Sequence, residues 1–275
     1  MSNLVASDAS PLLRLLRPGI DSPPIFFAPG FNAAAETLQE LAERIEASYP
    51  VYGLEYKAVT SRSGLYTEET VQALFDAIRR AQPQGPYLLV GYSLGGLLAL
   101  GTATRLAEQG EKRILLVLIE TYPHVKYWPF KEWVRFLMAR ALLHGRALLS
   151  TPITQVPRYI VHRAFLFWRR LHDRAGPTED RSAADLRGES REVQHIQSVH
   201  ADYHPTYYGG KVTFVRSQLH ASHFPNLPNA IWRQWAKNVE VYTLPGDHLG
   251  FMGSGSQIQK LADQIMSSVR TVESG

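Results

Sequence analysis

The segment Gly91-Tyr92-Ser93-Leu94-Gly95 places a serine between two glycines, directly after the apolar run Tyr87 to Val90 and directly before a second apolar run. A sharp turn from a buried strand into a helix strains the serine backbone and requires small neighbours. The hydroxyl then projects above the strand end, near the positive end of the helix. This pattern predicts Ser93 as a nucleophile and the Leu94 N–H as a donor to an oxyanion, whereas a chance match in a glycine-rich turn is the alternative.

A serine hydroxyl is a weak nucleophile at neutral pH, and it needs a base. His248 lies in LPGDHLGFM, directly after the strand-like run VEVYTL, and we predict it as that base. Five other histidines are rivals for the role: His195, His200, His204, His220 and His223. His200 and His204 have the spacing HxxxH, which also fits a pair of metal ligands. No carboxylate pattern accompanies them, so we predict no metal site.

The third catalytic residue should be a carboxylate at the end of a strand that follows the nucleophile. Glu120 closes the run RILLVLI, where a carboxylate is costly unless it has a partner. In a catalytic role it would hold the imidazole tautomer and stabilise the imidazolium. A solvated glutamate at a strand end is the ordinary alternative, Asp247 is badly placed to reach the ring of its neighbour His248, and Asp202 remains an alternative acid.

An oxyanion hole needs a second N–H, which normally comes from the loop after an early strand. The segment FFAPGFNAAA supplies such a loop after the predicted strand Ile25 to Ala28. We favour the N–H of Phe31 as this donor, with the N–H of Gly30 as the alternative.

Strands and helices alternate over the first 120 residues, after a short N-terminal arm that we expect to be loose. Short apolar runs predict strands and a 3.6-residue apolar period predicts helices. The predicted strands are 25–28, 51–56, 87–90 and 113–119, and the predicted helices are 37–49, 66–81 and 95–109. The alternation resumes later with strands at 211–217 and 239–246 and a helix at 257–269. This order predicts an α/β fold with a mostly parallel sheet covered by helices.

The alternation breaks between residues 122 and 205, where no strand pattern is present. Two amphipathic stretches, 128–149 and 158–176, are rich in Trp, Phe, Leu and Arg. We therefore predict one domain spanning 1–275 with a helical insertion at 122–205.

Composition excludes several classes of function. The chain has 275 residues, 45% of them hydrophobic, and a net charge of +4. It has no cysteine, which excludes disulfides, a thiolate nucleophile and cysteine-bound zinc. No run reaches the roughly 18 to 20 apolar residues of a membrane span, the N-terminus does not resemble a signal peptide, and the mild charge disfavours nucleic acid. We expect a cytoplasmic protein.

Taken together, these segments resemble the thioesterase domains that end nonribosomal peptide and polyketide assembly lines, which belong to the α/β-hydrolase superfamily. The resemblance covers nearly the whole chain and rests on the Pro-Gly loop, the GYSLGG turn, LIETYPH, and the PGDH block. It implies the catalytic set Ser93, Glu120 and His248. In this family the acid at the position of Glu120 is usually Asp, whereas free-standing relatives often take their acid from a later strand, where this sequence has none.

The resemblance also implies that the insertion is a lid over the site. Aromatic residues of the insertion would line an apolar acyl channel, although packing of the lid is an equal alternative. The predicted channel residues are Trp128, Phe130, Trp133, Phe165 and Trp168. Arginines of the insertion could meet an acidic carrier protein or its phosphopantetheine arm, and a solvated basic face is the alternative. These arginines are Arg135, Arg140, Arg146, Arg158, Arg163, Arg169 and Arg170.

The expected function is a thioesterase that releases an acyl, peptidyl or polyketide chain from a carrier-protein phosphopantetheine by hydrolysis or cyclisation. No cofactor is expected beyond the phosphopantetheine that carries the substrate. The alternatives are an acyltransferase that uses the same catalytic residues, a catalytically silent relative that binds carrier proteins, and a plain carboxylesterase or lipase.

Overall fold

The structure is a computed structural model. It describes residues 10–30, 34–56, 68–149, 161, 168, 200, 203–219, 227–247, 251 and 255–273. Its strands are β1 Leu13–Arg17, β2 Ile25–Ala28, β3 Val51–Leu54, β4 Tyr87–Tyr92, β5 Ile114–Ile119, β6 Tyr208–Leu219 and β7 Ala236–Asp247. Its helices are α1 Gln39–Arg44, α2 Glu68–Ala81, α3 Gly95–Glu108, α4 Phe130–Leu149, α5 Pro228–Trp232 and α6 Ser256–Glu273.

The described strands form one sheet in the order β1-β3-β2-β4-β5-β6-β7. Strand β1 pairs antiparallel with β3, and every other pair is parallel. This arrangement confirms the predicted α/β fold with a mostly parallel sheet. The central strands β4 and β5 are almost entirely buried, as expected for strands covered by helices on both faces.

The central elements match their predicted bounds within two residues, because burial on both faces leaves an unbroken apolar run in the sequence. Strand β2 spans the predicted residues, and helix α3 ends one residue before the predicted end. The outer strands β6 and β7 extend beyond the predicted segments at both ends.

Near the N-terminus one prediction is wrong, and a predicted helix is present but ends earlier than expected. The arm expected to be loose contains β1, whose apolar residues Leu13 and Leu16 are buried while Arg14 and Leu15 are exposed. That spacing does not alternate, so it does not look like a strand in the sequence. The predicted helix 37–49 is a 3₁₀ turn at Ala35–Leu38 followed by the short α1, and Ile45 is already extended.

The chain divides into two compact units. The first comprises Met1–Tyr122, Pro205–Ala221 and Trp232–Gly275, and the second comprises Pro123–His204 and Ser222–Ile231. The first contains the sheet, and the second contains α4, which lies in the first of the two predicted amphipathic stretches. Most of the other stretch, 158–176, lies outside the described residues. Across the part of the chain that the structure describes, no helix is long and apolar enough to cross a membrane.

Candidate active site

Ser93 lies in the turn between β4 and α3, as the sequence predicted. Its φ angle is +52°, a left-handed value that is uncommon for residues other than glycine. Such a conformation costs on the order of 1–3 kcal/mol, and it persists only where the surroundings fix it. Two backbone hydrogen bonds do so, because the Ser93 N–H donates to the Ile119 carbonyl at 2.8 Å and the Ser93 carbonyl accepts from the Gly96 N–H at 3.1 Å.

The glycines around Ser93 are required by close backbone approach. A Cβ atom on Gly91 would lie 2.3 Å from the Gly96 Cα, and one on Gly95 would lie 1.9 Å from the Pro29 carbonyl oxygen. These separations are below any real contact distance of a Cβ atom. The turn can therefore pass between β4, α3 and the loop after β2 only with glycine at both positions.

Gly95→Ala should lower the free energy of unfolding by about 1–3 kcal/mol, since its methyl group must displace the Pro29 backbone. Gly209→Ala is the matched control, because a Cβ atom there would meet nothing within 4 Å. Urea denaturation of both variants measures the difference. Equal unfolding midpoints for the two variants would show that the loop after β2 can move away from α3 at little cost.

Glu120 directly follows β5 and is buried, with 1% of its surface exposed. Its φ angle is +47°, so it too adopts a left-handed conformation. The Glu120 N–H donates to the Val215 carbonyl at 2.9 Å, and the carboxylate Oε1 accepts from the Ser217 N–H at 2.6 Å. Glu120 is therefore not a solvated strand-end residue, because β6 holds both its backbone and its carboxylate.

The sheet register brings Ser93 and Glu120 to the same edge. Tyr92 of β4 pairs with Ile119 of β5, and each candidate residue is the next one along its strand. Since parallel strands all end at one edge of a sheet, the two residues lie side by side there. The sequence placed each at a strand end, and the register makes these ends neighbours.

Tyr122 contributes to the electrostatics around Glu120. Burial raises the pKa of the Tyr122 phenol, and the negative charge of Glu120 raises it further, against a smaller opposing effect of Arg216. Its ring packs against Phe214 of β6 with centroids 5.2 Å apart. The carboxylate thus faces a tyrosine that stays neutral.

The loop after β2 lies beside Ser93, as expected for an oxyanion loop. A Cβ atom built on Gly30 would lie 3.7 Å from the Ser93 Cβ and 3.2 Å from the Tyr92 ring. On the other side of the serine, Leu94 precedes the first turn of α3 and is buried. The positive end of this fourteen-residue helix favours negative charge near Ser93. Phe31, the favoured second donor, lies outside the described residues.

His248, the predicted base, also lies outside the described residues. The preceding residue Asp247 ends β7, which follows β6 at the edge of the sheet. Among the alternatives, His195, His220, His223 and Asp202 lie outside the described residues as well. His200 and His204 belong to the second unit, where their rings make edge contacts with His124 and Tyr127.

His124 of the second unit is held neutral by its surroundings. Burial lowers its pKa to about 3, and the nearby His200 and Lys126 act in the same direction. Its Nδ1 accepts the Lys126 N–H at 3.3 Å, which requires an unprotonated nitrogen.

The predicted channel residues differ in exposure. Trp128 and Trp133 are buried, and the Trp128 Nε1 donates to the Pro123 carbonyl at 2.9 Å. Phe130 and Trp168 are 66% and 55% exposed, and Phe165 lies outside the described residues. At least Trp128 thus packs within its own unit, and an acyl channel lined by these residues stays a prediction.

Two residues of the site were not identified from the sequence. Ser217 acts through its backbone N–H, which no residue type reveals. Tyr56 lies two residues after β3, and its hydroxyl is within hydrogen-bonding distance of the Pro29 and Gly30 carbonyls. One sequence feature pointed to Tyr56. It ends the predicted strand 51–56, and the strand before it in the same βαβ unit leads into the candidate oxyanion loop.

Comparison with known proteins indicates the family to which this chain belongs. A family model described as the thioesterase domain matches residues 23–269. The chain is 34% identical over 129 residues to a dimodular nonribosomal peptide synthase of Bacillus subtilis (strain 168). The aligned segment covers 46% of this chain and 5% of that protein. It spans between 1% and 5% of the length of the first curated relatives it matches.

Two solved thioesterase domains show the likeness of fold. The NocB thioesterase domain, solved as a covalent complex with a fluorophosphonate nocardicin G analog, has a TM-score of 0.61 and 18% identity, covering 94% of this chain and 99% of that one. SrfTE, the thioesterase domain that cyclises the lipopeptide antibiotic surfactin, has a TM-score of 0.59 and 14% identity, covering 96% and 97%. Because the family model matches nearly the whole sequence, this chain belongs to the thioesterase domain family.

Proposed function

We propose that this chain cleaves an acyl thioester through an acyl-serine intermediate on Ser93. In this reaction His248 is the base, and the Glu120 carboxylate orients His248. The observation that carries the proposal is the hydrogen bond from the Ser93 N–H to Ile119. It fixes a strained serine, at the positive end of a helix, beside a buried carboxylate.

In the first half of the reaction, the Ser93 Oγ attacks the thioester carbonyl carbon while His248 takes the hydroxyl proton. The carbonyl oxygen becomes an oxyanion, which the Leu94 N–H and an N–H of the loop after β2 stabilise. The carbon–sulfur bond then breaks, and the leaving thiolate takes the proton from the imidazolium. This step leaves an acyl ester on Ser93 and a free thiol.

In the second half, water or another nucleophile attacks the acyl ester. His248 takes a proton from the attacking group and returns it to the Ser93 Oγ as the ester breaks. Attack by water gives an acid, and attack by a nucleophile within the acyl chain gives a ring. Both halves pass through an oxyanion, so both depend on the same donors.

Glu120 would serve as the third member in place of the usual Asp of this family. The Ser217 N–H holds the Glu120 carboxylate in place. The negative charge of the carboxylate can then orient the imidazole and stabilise the imidazolium.

The proposed partner is an acyl or peptidyl carrier protein, and the proposed substrate is attached to its phosphopantetheine. The proposed partner is inferred from the relatives of this chain, which are multidomain synthetases. The chain matches a small part of their length. Among the arginines of the insertion, Arg135 has an exposed side chain that pairs with Glu132 at 2.6 Å. An exposed basic group of this kind can meet an acidic surface.

Turnover of matched esters tests the proposal. An acyl N-acetylcysteamine thioester, which mimics the phosphopantetheine end, should give a kcat/KM at least about tenfold above that of the oxygen ester with the same acyl group. Intact mass spectrometry should detect one acyl group on Ser93. Equal or faster cleavage of the oxygen ester would indicate a carboxylesterase. A protein that neither turns over either ester nor reacts with a fluorophosphonate would be a silent relative.

A further inference from the structure

Tyr56 is a buried tyrosine to which the chemistry described above gives no part. Its exposed fraction is 1%. Its hydroxyl lies 2.9 Å from the Pro29 carbonyl oxygen and also within hydrogen-bonding distance of the Gly30 carbonyl oxygen. One phenol proton is thus shared between two successive carbonyls of the loop after β2.

These two carbonyls belong to the peptide units that carry the candidate oxyanion donors. A peptide unit is planar, so its C=O and the N–H of the next residue turn together. The Pro29 carbonyl shares its plane with the Gly30 N–H, and the Gly30 carbonyl is covalently joined to the Phe31 nitrogen. A group that fixes the carbonyl directions therefore also fixes the directions of the N–H groups.

The rest of the loop is constrained from the side of the nucleophile. The Pro29 carbonyl oxygen would lie 1.9 Å from a Cβ atom on Gly95, so it lies tightly against the first residue of α3. Gly30 approaches the Tyr92 ring and Ser93. The Tyr56 hydroxyl is a side-chain donor to the Pro29 and Gly30 carbonyls of this loop.

A hydrogen bond to a carbonyl also makes the N–H of the same peptide unit a stronger donor. Withdrawal of electron density toward the carbonyl oxygen makes the attached N–H more positive, and chains of hydrogen bonds polarise one another in this way. In a buried setting this effect is larger than in water, because the local dielectric constant is low.

We propose that Tyr56 is a positioning residue for the oxyanion hole, acting through the Pro29 and Gly30 carbonyls on the N–H groups that receive the oxyanion. The inference rests on the proposed function, since it assigns the loop its part in the acyl-serine reaction. Tyr56 itself touches neither the substrate nor the reacting atoms.

The test is Tyr56→Phe, which removes the hydroxyl and keeps the ring. We expect kcat for the acyl N-acetylcysteamine thioester to fall about tenfold, less than the roughly 100-fold or greater loss on deleting an oxyanion donor outright. KM should stay within about twofold, because the substrate carbonyl carries little charge before attack. Affinity for a trifluoromethyl ketone with the same acyl chain, whose adduct carries an oxyanion, should fall by the same factor as kcat.

Tyr87→Phe is the matched control. Tyr87 is equally buried and lies at the other end of β4. Its hydroxyl donates to the Gln82 carbonyl at 3.0 Å and accepts from the Arg79 guanidinium at 2.6 Å. Tyr56→Phe and Tyr87→Phe each remove two hydrogen bonds of a tyrosine hydroxyl, so urea denaturation should show a similar loss of stability. Its kcat and its affinity for the ketone should match those of the wild type.

The outcomes separate the two proposals. A wild-type protein that does not cleave thioesters contradicts the proposed function. An active wild type whose Tyr56→Phe variant keeps its kcat and ketone affinity contradicts the positioning role alone, whatever happens to its stability. If Tyr56→Phe does not fold, p-aminophenylalanine at position 56 keeps the ring and a weaker donor. Its kcat should then lie below that of the wild type at unchanged KM, and an unchanged kcat overturns the role.

Discussion

Ser93→Ala is expected to abolish formation of the acyl-enzyme and to lower kcat/KM for thioesters by about 10⁴-fold or more. Alanine removes the nucleophilic oxygen and leaves the turn in place, because the backbone hydrogen bonds of residue 93 do not involve its side chain. Alanine also tolerates the left-handed backbone as poorly as serine does, so stability should change little. Incubation with a fluorophosphonate, followed by intact mass spectrometry, measures the loss directly.

Ser268→Ala provides the control for this experiment. Ser268 is a buried serine whose hydroxyl donates to the Gln264 carbonyl at 3.0 Å within helix α6. The variant should label as completely as the wild type. If the Ser93→Ala protein carries as much fluorophosphonate adduct as the wild type, Ser93 is not the nucleophile.

Glu120→Gln is expected to lower kcat by about 10³-fold or more, in line with the effect of neutralising the acid of other serine triads. Glutamine keeps the volume of the side chain and can still accept the Ser217 N–H, so the fold should survive. It removes the negative charge that, in the proposed mechanism, stabilises the imidazolium. Steady-state kcat, measured beside the urea unfolding midpoint, separates catalysis from stability.

Glu120→Asp should keep kcat within about tenfold of the wild type, because it preserves the negative charge of the carboxylate. Glu111→Gln is the control for loss of a carboxylate elsewhere. Glu111 pairs with Arg79, and its replacement should leave kcat unchanged. Wild-type rates in Glu120→Gln would instead move the acid to another carboxylate, of which Asp247 and Asp202 are the candidates.

Buried elements of this chain are more clearly visible in its sequence than exposed ones. Strands β4 and β5 and most of helix α3 are buried, so their apolar runs mark their bounds almost directly. Strand β1 is an edge strand with two exposed residues between two buried leucines. It is a strand because it pairs with β3, and a pairing partner is not visible in the local sequence.

The sequence by itself determined the residue types of the candidate site and their order, because the turn that holds Ser93, a carboxylate at a strand end and a histidine after the last strand are local patterns. Tertiary structure decided which of them meet. The register of β4 with β5 sets Ser93 beside Glu120, and the register of β5 with β6 brings the Ser217 N–H to the carboxylate. The loop that carries the Tyr56 contact likewise depends on the parallel pairing of β2 with β3. These contacts join residues distant in the chain, and backbone groups supply much of the contact. The physical reason is that every residue type except proline has the same backbone N–H and C=O groups, so the partners of these groups are set by how the strands pair.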